Sequence, residues 1–390
     1  MTDDSAQAAP SHGSAPLRRR YRADHVGSLL RPASVSEARA TTLGPGELYS
    51  PALADVENDA ITEAVAMQVD AGLPLVTDGE YRRSFWHYDF LDGLTGFDVI
   101  ERPERAGVTF AGIDLRPFFP TITDRLDFPA DHPMLDHFRF LASVAPPTAR
   151  PKISIPGPSA CHFRTDPEDI GPAAYEDVEQ LFADIAATYR KAVQAFYDAG
   201  CRHLQLDDIF FAYLGDETQR DQKRAQGLDP DALIISYADM LEQSIADRPQ
   251  DMTIAMHLCR GNFRSAWAAS GGYDPAAEAI FNRTSVDVYL MEYDTDRAGG
   301  LEPLRLLPKG DKRVLPGFIT TKTAALEPLD DLKARFDEAS RFVDIDQLGI
   351  APQCGFASTE EGNTITVDDQ RAKLELVVAC AEEIWGGVEG

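Results

Sequence analysis

Apolar residues recur at helical spacing along much of the chain, and short apolar runs separate these stretches. The helical spacing predicts amphipathic helices at residues 53–71, 182–199, 230–246, 273–281, 329–343 and 368–384. The short runs between them predict strands at 24–30, 73–77, 153–156, 203–206, 252–256, 286–291, 313–315 and 348–351. Gly72 and Gly200 follow two of the helical stretches and are typical stop signals.

Eight strands that alternate with helices predict an α/β fold of the (β/α)8 TIM barrel type. An open, doubly wound sheet is the competing architecture. The first strand is followed by no glycine-rich dinucleotide fingerprint, which favours the barrel. We expect a single barrel domain over 19–390. The stretch 81–150, after the second strand, is too long for a plain loop and rich in aromatic and turn residues, so we expect a lid or side subdomain there.

Composition and charge narrow the range of partners. Among 390 residues, 64 are acidic and 37 basic, which gives a net charge of −27. Such a chain is a poor binder of nucleic acid or of an anionic membrane surface. No stretch approaches 18 consecutive apolar residues, so we expect no membrane span. Residues 1–18 are polar, lack a secretory core segment and are expected to be a disordered tail.

The chain has five cysteines, an odd and low number for its length. This count does not indicate a disulfide framework and favours a cytoplasmic location, where the thiols stay free for packing, metal binding or catalysis. The sequence does not fix the oligomeric state, so an oligomer is possible.

Chemistry-bearing side chains follow several of the predicted strands. His257 and Cys259 come directly after the fifth strand, at a spacing that lets both point to the same side. Glu292 ends the sixth strand, and Cys354 follows the eighth. Because the carboxyl ends of barrel strands face one site, these four side chains are candidates for a tetrahedral zinc centre. The alternative is a core cysteine, a salt-bridged glutamate and a hydrogen-bonded histidine.

Seven segments resemble the catalytic half of cobalamin-independent methionine synthase, in its short single-barrel branch. The similarity extends from about residue 22 to residue 385. It is carried by DHVGSLLRP, VTDGEYRRSFWHYDFL, LQLDD, MHLCRGNFRS, YLMEYD, GFITTKT and PQCGFASTEEGN.

The resemblance implies a role for each matching position. The zinc ligands would be His257, Cys259, Glu292 and Cys354; the loop that holds the homocysteine carboxylate would include Gly27 and Ser28; and the acids that hold its amino group would be Glu80 and Asp207. Without the resemblance, Asp207 would as often be a helix cap as a binding residue. Glu80 would usually form an ion pair with a neighbouring arginine.

Two positions depart from the long form of the family. Lys322 stands where that form has a histidine assigned to acid chemistry at the methyl donor, which makes Lys322 a candidate catalytic residue. GPSACHF has no counterpart of the indole associated with the folate ring. The identity of the alkyl donor therefore stays open.

Each of the other side chains near these motifs has two possible roles. They are either neighbours of the metal and pocket walls, or ordinary ion pairs and core aromatics. The set comprises Trp86, His87, Phe90, Phe210, Phe211, Arg260, Asn262 and Arg264.

The function expected from these features is zinc-dependent S-methylation of homocysteine to methionine, with a small-molecule thiol and a small-molecule alkyl donor as substrates. The alternatives are another zinc thiol alkyltransferase, such as epoxyalkane:coenzyme M transferase, and a non-catalytic zinc-binding barrel. The pair Glu80 and Asp207 favours homocysteine, because two carboxylates at one mouth need a cation between them and would repel a sulfonate.

Overall fold

Parallel strands and helices alternate along the chain and form a closed barrel. The computed structural model describes residues 20–105, 109–110 and 112–390. The tail predicted at 1–18 lies outside the described residues. Within the described part, no helix has both the length and the apolar character that crossing a bilayer requires.

The strands and helices fall close to the predicted stretches. The strands are β1 (Leu75–Val76), β2 (Thr95–Glu101), β3 (Thr109–Phe110), β4 (Ile113–Asp114), β5 (Phe118–Asp127), β6 (Arg150–Pro151), β7 (Ile153–Pro156), β8 (His203–Asp207), β9 (Thr253–Leu258), β10 (Val288–Glu292) and β11 (Arg313–Gly317). The helices are α1 (Ala33–Thr42), α2 (Ala54–Asp70), α3 (Tyr88–Leu91), α4 (Pro133–Val144), α5 (Ala160–Phe163), α6 (Val178–Asp198), α7 (Phe210–Tyr213), α8 (Glu217–Ala225), α9 (Pro230–Ile245), α10 (Asp274–Asn282), α11 (Leu329–Ala339) and α12 (Val367–Trp385). Short 3₁₀ segments lie at Pro51–Leu53, Pro167–Asp169, Asp296–Ala298, Glu302–Leu306 and Ile345–Gln347.

Five of the strands form one parallel sheet in the order β11-β10-β9-β8-β7, and β1 pairs in parallel with β6. Parallel pairing of consecutive strands through helices is the pattern of a (β/α)8 barrel. The register places Asp207 beside His257 at the carboxyl ends of β8 and β9. These ends therefore bring polar side chains to the same level of the barrel.

The first and last barrel positions are held by single bridges rather than full strands. Leu348 pairs with Val314, and Ile350 pairs with Ala23, all in parallel. Backbone hydrogen bonds reinforce this closure, from Asp24 N to Ile350 O at 3.0 Å and from Ile350 N to Arg22 O at 2.7 Å. The first segment of the barrel thus pairs with its neighbours at 21–24, mostly before the strand that was predicted at 24–30. It ends there because the chain turns at Gly27, whose φ of +133° leaves the extended region.

The stretch between β1 and β6 contains an antiparallel ribbon of β2 and β5 and a small hairpin of β3 and β4. At its end, α4 packs against α2, α6 and β6 on the outside of the barrel, where a barrel helix belongs. Phe110 and Leu115 of the hairpin region reach the cavity described below. The part of the stretch before α4 is therefore the part that contributes to the barrel mouth.

A buried ion pair lies inside the barrel. Lys152 Nζ donates to Asp24 Oδ1 at 2.6 Å, to Gln205 Oε1 at 3.1 Å and to the carbonyl of His25. The Lys152 and Asp24 side chains are 0% and 1% exposed. Burial raises the pKa of Asp24, and Lys152 opposes that shift. The pair joins three barrel positions, so the first segment of the barrel depends on it.

Lys152→Met should destabilise the fold by about 3–5 kcal/mol, because it leaves Asp24 buried without its cation. Urea unfolding followed by circular dichroism measures the loss. The matched control is Lys333→Met, which breaks the solvent-exposed pair of Lys333 with Glu383 and should lower the stability far less than Lys152→Met does. Equal losses in the two variants would contradict the role of the buried pair.

Candidate metal centre and substrate cavity

A histidine and two cysteines meet at the carboxyl end of the barrel. One ligand atom from each of His257, Cys259 and Cys354 lies within 4.8 Å of the others, and all three residues are buried. The two Sγ atoms are 3.5 Å apart. An imidazole nitrogen and two thiol sulfurs at this separation are a donor set that suits zinc.

The backbone explains why these residues converge. His257 lies in β9, and Cys259 follows it by two positions, so both side chains face the same side. Cys354 comes from the loop after the last barrel position. Asn262 Nδ2 donates to the carbonyl of Gly355 at 2.8 Å, and Thr321 Oγ1 donates to the same carbonyl at 3.0 Å. These bonds fix the Cys354 loop against the loop that carries Cys259.

Contacts within the cluster shift the pKa values of His257, Cys259 and Cys354 in different directions. The contact with Cys259 lowers the pKa of Cys354 well below its usual range; burial opposes this shift and His257 supports it. The same thiol contact, together with burial, raises the pKa of Cys259. Burial alone would lower the pKa of His257, but the nearby Asp207 and Cys354 raise it to about 10. The cluster therefore favours a thiolate at Cys354.

Glu292 lies at the end of β10 but is not part of this cluster. Its Oε2 accepts a hydrogen bond from the backbone N–H of Arg260 at 2.5 Å, and its Oε1 contacts the guanidinium of Arg297. Lys322 Nζ is 3.8 Å from Oε1. Burial would raise the pKa of Glu292, but Lys322, Arg297 and Arg260 hold it below its usual range. Glu292 is thus an ionised carboxylate surrounded by positive charge, and its place as a fourth ligand stays a prediction.

Of the two remaining basic residues in the motif that carries His257, Arg260 has structural contacts. Arg260 donates to the carbonyls of Gly271 at 2.6 Å and Ala298 at 3.0 Å, and stacks 4.2 Å from the centroid of the Tyr273 ring. It therefore holds the loops behind the metal centre. Arg264 adopts a positive φ of 49° in a tight turn.

Two acids line the same cavity as the cysteines. Glu80 Oε1 accepts a hydrogen bond from Ser154 Oγ at 2.9 Å, whereas its Oε2 has no hydrogen-bond partner among the described residues. Asp207 Oδ1 accepts from Gln205 at 2.7 Å and lies 3.3 Å from Nδ1 of His257. Burial raises the pKa of Glu80 to about 7; Arg83 opposes the shift and Asp207 adds to it. The two carboxylates are thus close enough to repel each other.

Asp207 has a second contact that the sequence motif did not indicate. Its oxygen faces the imidazole of His257, in the arrangement by which carboxylates orient metal-binding histidines. Asp207 therefore contacts the His/Cys/Cys cluster and lines the same cavity as Glu80.

The loop of Gly27 and Ser28 packs directly against the Cys354 loop. The Ser28 carbonyl accepts from Phe356 N at 2.9 Å, and Ser28 Oγ accepts from Ala357 N at 3.3 Å. A Cβ at Gly355 would lie 1.9 Å from Ser28 Oγ. The close approach of these loops therefore requires glycine at position 355.

A single cavity joins most of the predicted site residues. Ser28, Glu80, Asp207, His257, Cys259 and Cys354 all line it. Gly27, Glu292 and Lys322 do not line it, although a Cβ on Gly27 would lie 3.5 Å from Glu80 Oε1. Trp86, His87, Phe110 and Leu115 supply much of the remaining wall. Acids and thiols therefore face an apolar, aromatic side.

Comparison with known proteins agrees with this geometry. The model of the family described as "Cobalamin-independent synthase, Catalytic domain" matches residues 25–383. The uncharacterized protein YxjH of Bacillus subtilis (strain 168) is 46% identical over 365 residues, which cover 94% of this chain and 95% of YxjH.

The chain belongs to the cobalamin-independent synthase catalytic domain family.

Solved structures support the same fold. A candidate vitamin-B12-independent methionine synthase from Listeria monocytogenes is 34% identical, with a TM-score of 0.74 and coverage of 95% of this chain and 99% of that one. A B12-independent methionine synthase from Shewanella sp. W3-18-1, solved with selenomethionine, has a TM-score of 0.67 at 21% identity and covers 94% and 98% of the two chains. The TIM barrel fold is shared, and family membership supports a methyltransferase role with small-molecule substrates.

Several residues that support the site were missed by sequence reasoning. Ser154 and Gln205 hydrogen-bond to the two acids from within strands β7 and β8. Each is a polar residue inside a strand that is buried along its whole length. A polar residue within a predicted core strand is a feature that the sequence alone shows. Arg297 contacts Glu292 from a 3₁₀ segment, and nothing in the sequence pattern indicated that pairing.

Gly355→Ala should destabilise the protein by about 1–3 kcal/mol, because the new methyl group overlaps Ser28 Oγ. Chemical denaturation measures the loss. Adding Ser28→Ala removes the overlapping oxygen and should recover part of it. Gly387→Ala, with no atom within 4 Å of its Cβ, is the matched control and should be neutral. If the stability losses of the two single variants simply add in the double variant, the proposed contact between position 355 and Ser28 Oγ is contradicted.

Proposed function

We propose that this chain is a zinc-dependent methyltransferase that methylates a thiol, with homocysteine as the thiol and methionine as the product. The observation that carries the proposal is one cavity in which a His/Cys/Cys cluster faces a pair of carboxylates. A metal-binding barrel without turnover needs the cluster but not the carboxylate pair.

The residues fit a zinc ion by their chemistry. His257, Cys259 and Cys354 supply three ligand atoms. A structural zinc site has a fourth protein ligand, whereas a catalytic zinc site keeps one coordination position open for water or substrate. Glu292 is the candidate for the fourth place, and its contacts with Arg297 and Lys322 compete with that role. When bound, zinc supplies the positive charge that keeps a coordinated thiol deprotonated and nucleophilic.

The acid pair supports an amino acid as the thiol substrate. Glu80 and Asp207 repel each other, and burial makes that repulsion costly unless a cation lies between them. The ammonium group of homocysteine supplies such a cation. Arg83 is 3.6 Å from Glu80 Oε2, but its guanidinium donates to the Ser154 carbonyl at 2.7 Å. Glu80 therefore keeps an oxygen for the substrate.

The other chain segments would orient the reactants and exclude water. Gly27 and Ser28 lie beside Glu80, where backbone N–H groups suit a substrate carboxylate. Phe110 and Leu115 of the 81–150 stretch line the cavity and support its role as a lid. Lys322, 3.8 Å from Glu292, is placed to adjust the charge of that carboxylate rather than to touch the substrate. A dry, aligned pocket favours in-line attack of the sulfur on the methyl carbon.

The purified protein should carry one zinc per chain, and Cys259→Ser or Cys354→Ser should each lose the metal and the methyl transfer, because each removes a thiolate ligand. Mass spectrometry measures the zinc content, and the rate of methionine formation measures the methyl transfer. Cys380→Ser, a buried cysteine on α12, is the matched control and should keep both. Full activity in a metal-free preparation would contradict the proposal.

Glu80→Gln should weaken homocysteine binding by roughly 10- to 100-fold, because a charge-assisted contact with the ammonium is lost. Steady-state kinetics with homocysteine and with 4-mercaptobutyrate, which lacks only the amino group, isolates this contact. The variant should leave 4-mercaptobutyrate unchanged. If both thiols weaken equally, or if coenzyme M with an epoxide outperforms homocysteine, the acid pair does not select an amino group.

A further inference from the structure

Ser154 lies inside strand β7, which is buried along its whole length. The register pairs Ser154 with Gln205 of the neighbouring strand β8. Ser154 Oγ donates to Glu80 Oε1 at 2.9 Å, and Gln205 Nε2 donates to Asp207 Oδ1 at 2.7 Å. Each of the two cavity acids is therefore held by one residue of this cross-strand pair.

Arg83 is a potential partner of Glu80, but the two side chains do not form a hydrogen bond. They are 1% and 3% exposed, and Arg83 Nη1 lies 3.6 Å from Glu80 Oε2. A charge-assisted hydrogen bond between such groups is about 2.7–2.9 Å long. Glu80 Oε2 and Arg83 Nε both lack a hydrogen-bond partner among the described residues. The buried pair is thus left open although both groups have unused hydrogen-bonding capacity.

Ser154 accounts for the open pair because it contacts both partners. Its carbonyl accepts from Arg83 Nη2 at 2.7 Å, and its Oγ accepts from Arg83 Nη1 at 3.4 Å. The same Oγ donates to Glu80 Oε1. One residue thus holds the guanidinium and the carboxylate apart, the first mainly with its backbone and the second with its side chain.

The backbone of Glu80 is fixed independently of Ser154. Its φ is +60°, in the left-handed region that residues other than glycine rarely adopt. The Glu80 N–H donates to Asp78 Oδ1 at 2.9 Å, and the Glu80 carbonyl accepts from Arg31 Nη2 at 2.7 Å. The direction of the carboxylate therefore depends on the contacts of the side chain alone, and these contacts are with Ser154 and Arg83.

We propose that Ser154 is a positioning residue that keeps Glu80 from closing onto Arg83 and so leaves Glu80 Oε2 free for the ammonium group of a thiol substrate. The inference rests on the proposed function for the nature of the substrate, but the competition between Ser154 and Arg83 does not depend on turnover. Without the Ser154 hydroxyl, the carboxylate would turn to Arg83. A carboxylate that is paired with a guanidinium attracts an ammonium group less strongly.

A crystal structure of the Ser154→Ala variant tests this competition without any substrate. The distance between Glu80 Oε2 and Arg83 Nη1 should shorten from 3.6 Å to about 2.8 Å, the length of a charge-assisted hydrogen bond. An unchanged distance would overturn the proposal.

The binding of two thiols tests the consequence for specificity. Titration calorimetry on the purified full chain measures the dissociation constants of homocysteine and of 4-mercaptobutyrate, which lacks only the amino group. Ser154→Ala should weaken homocysteine by roughly tenfold and leave 4-mercaptobutyrate unchanged. Ser244→Ala removes a similarly buried hydroxyl from α9 and should change neither constant. Equal weakening of both thiols by Ser154→Ala would assign Ser154 a merely structural role and overturn the proposal.

Two further variants test capture by Arg83. Added to Ser154→Ala, Arg83→Gln removes the competing cation and should restore most of the homocysteine affinity; a deeper loss would contradict the capture. Ser154→Thr keeps a hydroxyl and should lose much less affinity than Ser154→Ala; an equal loss would contradict the role of the hydroxyl.

The same titrations separate the two proposals. Unaltered protein that binds both thiols equally would contradict the selection of an amino acid in the proposed function. A preference for homocysteine that Ser154→Ala leaves intact would contradict only the role of Ser154.

Discussion

Closure of the barrel brings Cys354 to Cys259, and the chemistry of the site depends on that contact. The last barrel position pairs with Val314 on one side and with Ala23 on the other, through Leu348 and Ile350. Because these bridges fix where the chain leaves the barrel, the next loop places Cys354 Sγ 3.5 Å from Cys259 Sγ. The same loop meets Ser28 so closely that only glycine fits at position 355. One closure thus brings Cys354, a proposed metal ligand, together with the proposed substrate loop of Ser28.

Charge divides the space above this cluster into two halves. On one side, Glu80 and Asp207 are close, and burial together with the charge of Asp207 raises the pKa of Glu80. On the other side, Arg164 and Lys223 lie on a stacked aromatic pair and share no carboxylate among the described residues. A thiol with an ammonium group, as in the proposed function, suits the first half.

The sequence pattern predicted the barrel and most of the cavity because both depend on strand ends. The position after a strand is readable from apolar runs, so His257, Cys259 and Cys354 were expected to converge. Glu80 and Asp207 were assigned through the family resemblance. Details of side-chain pairing were not readable in this way. Glu292 ends its strand as predicted. Its carboxylate is nevertheless bound by Arg297 and by the backbone N–H of Arg260, and these contacts depend on a loop conformation. The closing bridges are also too short for a periodic signal.

Zinc K-edge X-ray absorption of the metal-loaded protein, with and without homocysteine, tests the central claim most directly. The account predicts two sulfur ligands and one imidazole from the chain, completed by an oxygen or nitrogen ligand. Homocysteine should raise the sulfur number to three as its thiol enters the open position. A sulfur number that stays at two under conditions of methyl transfer, or four sulfurs without substrate, would contradict it.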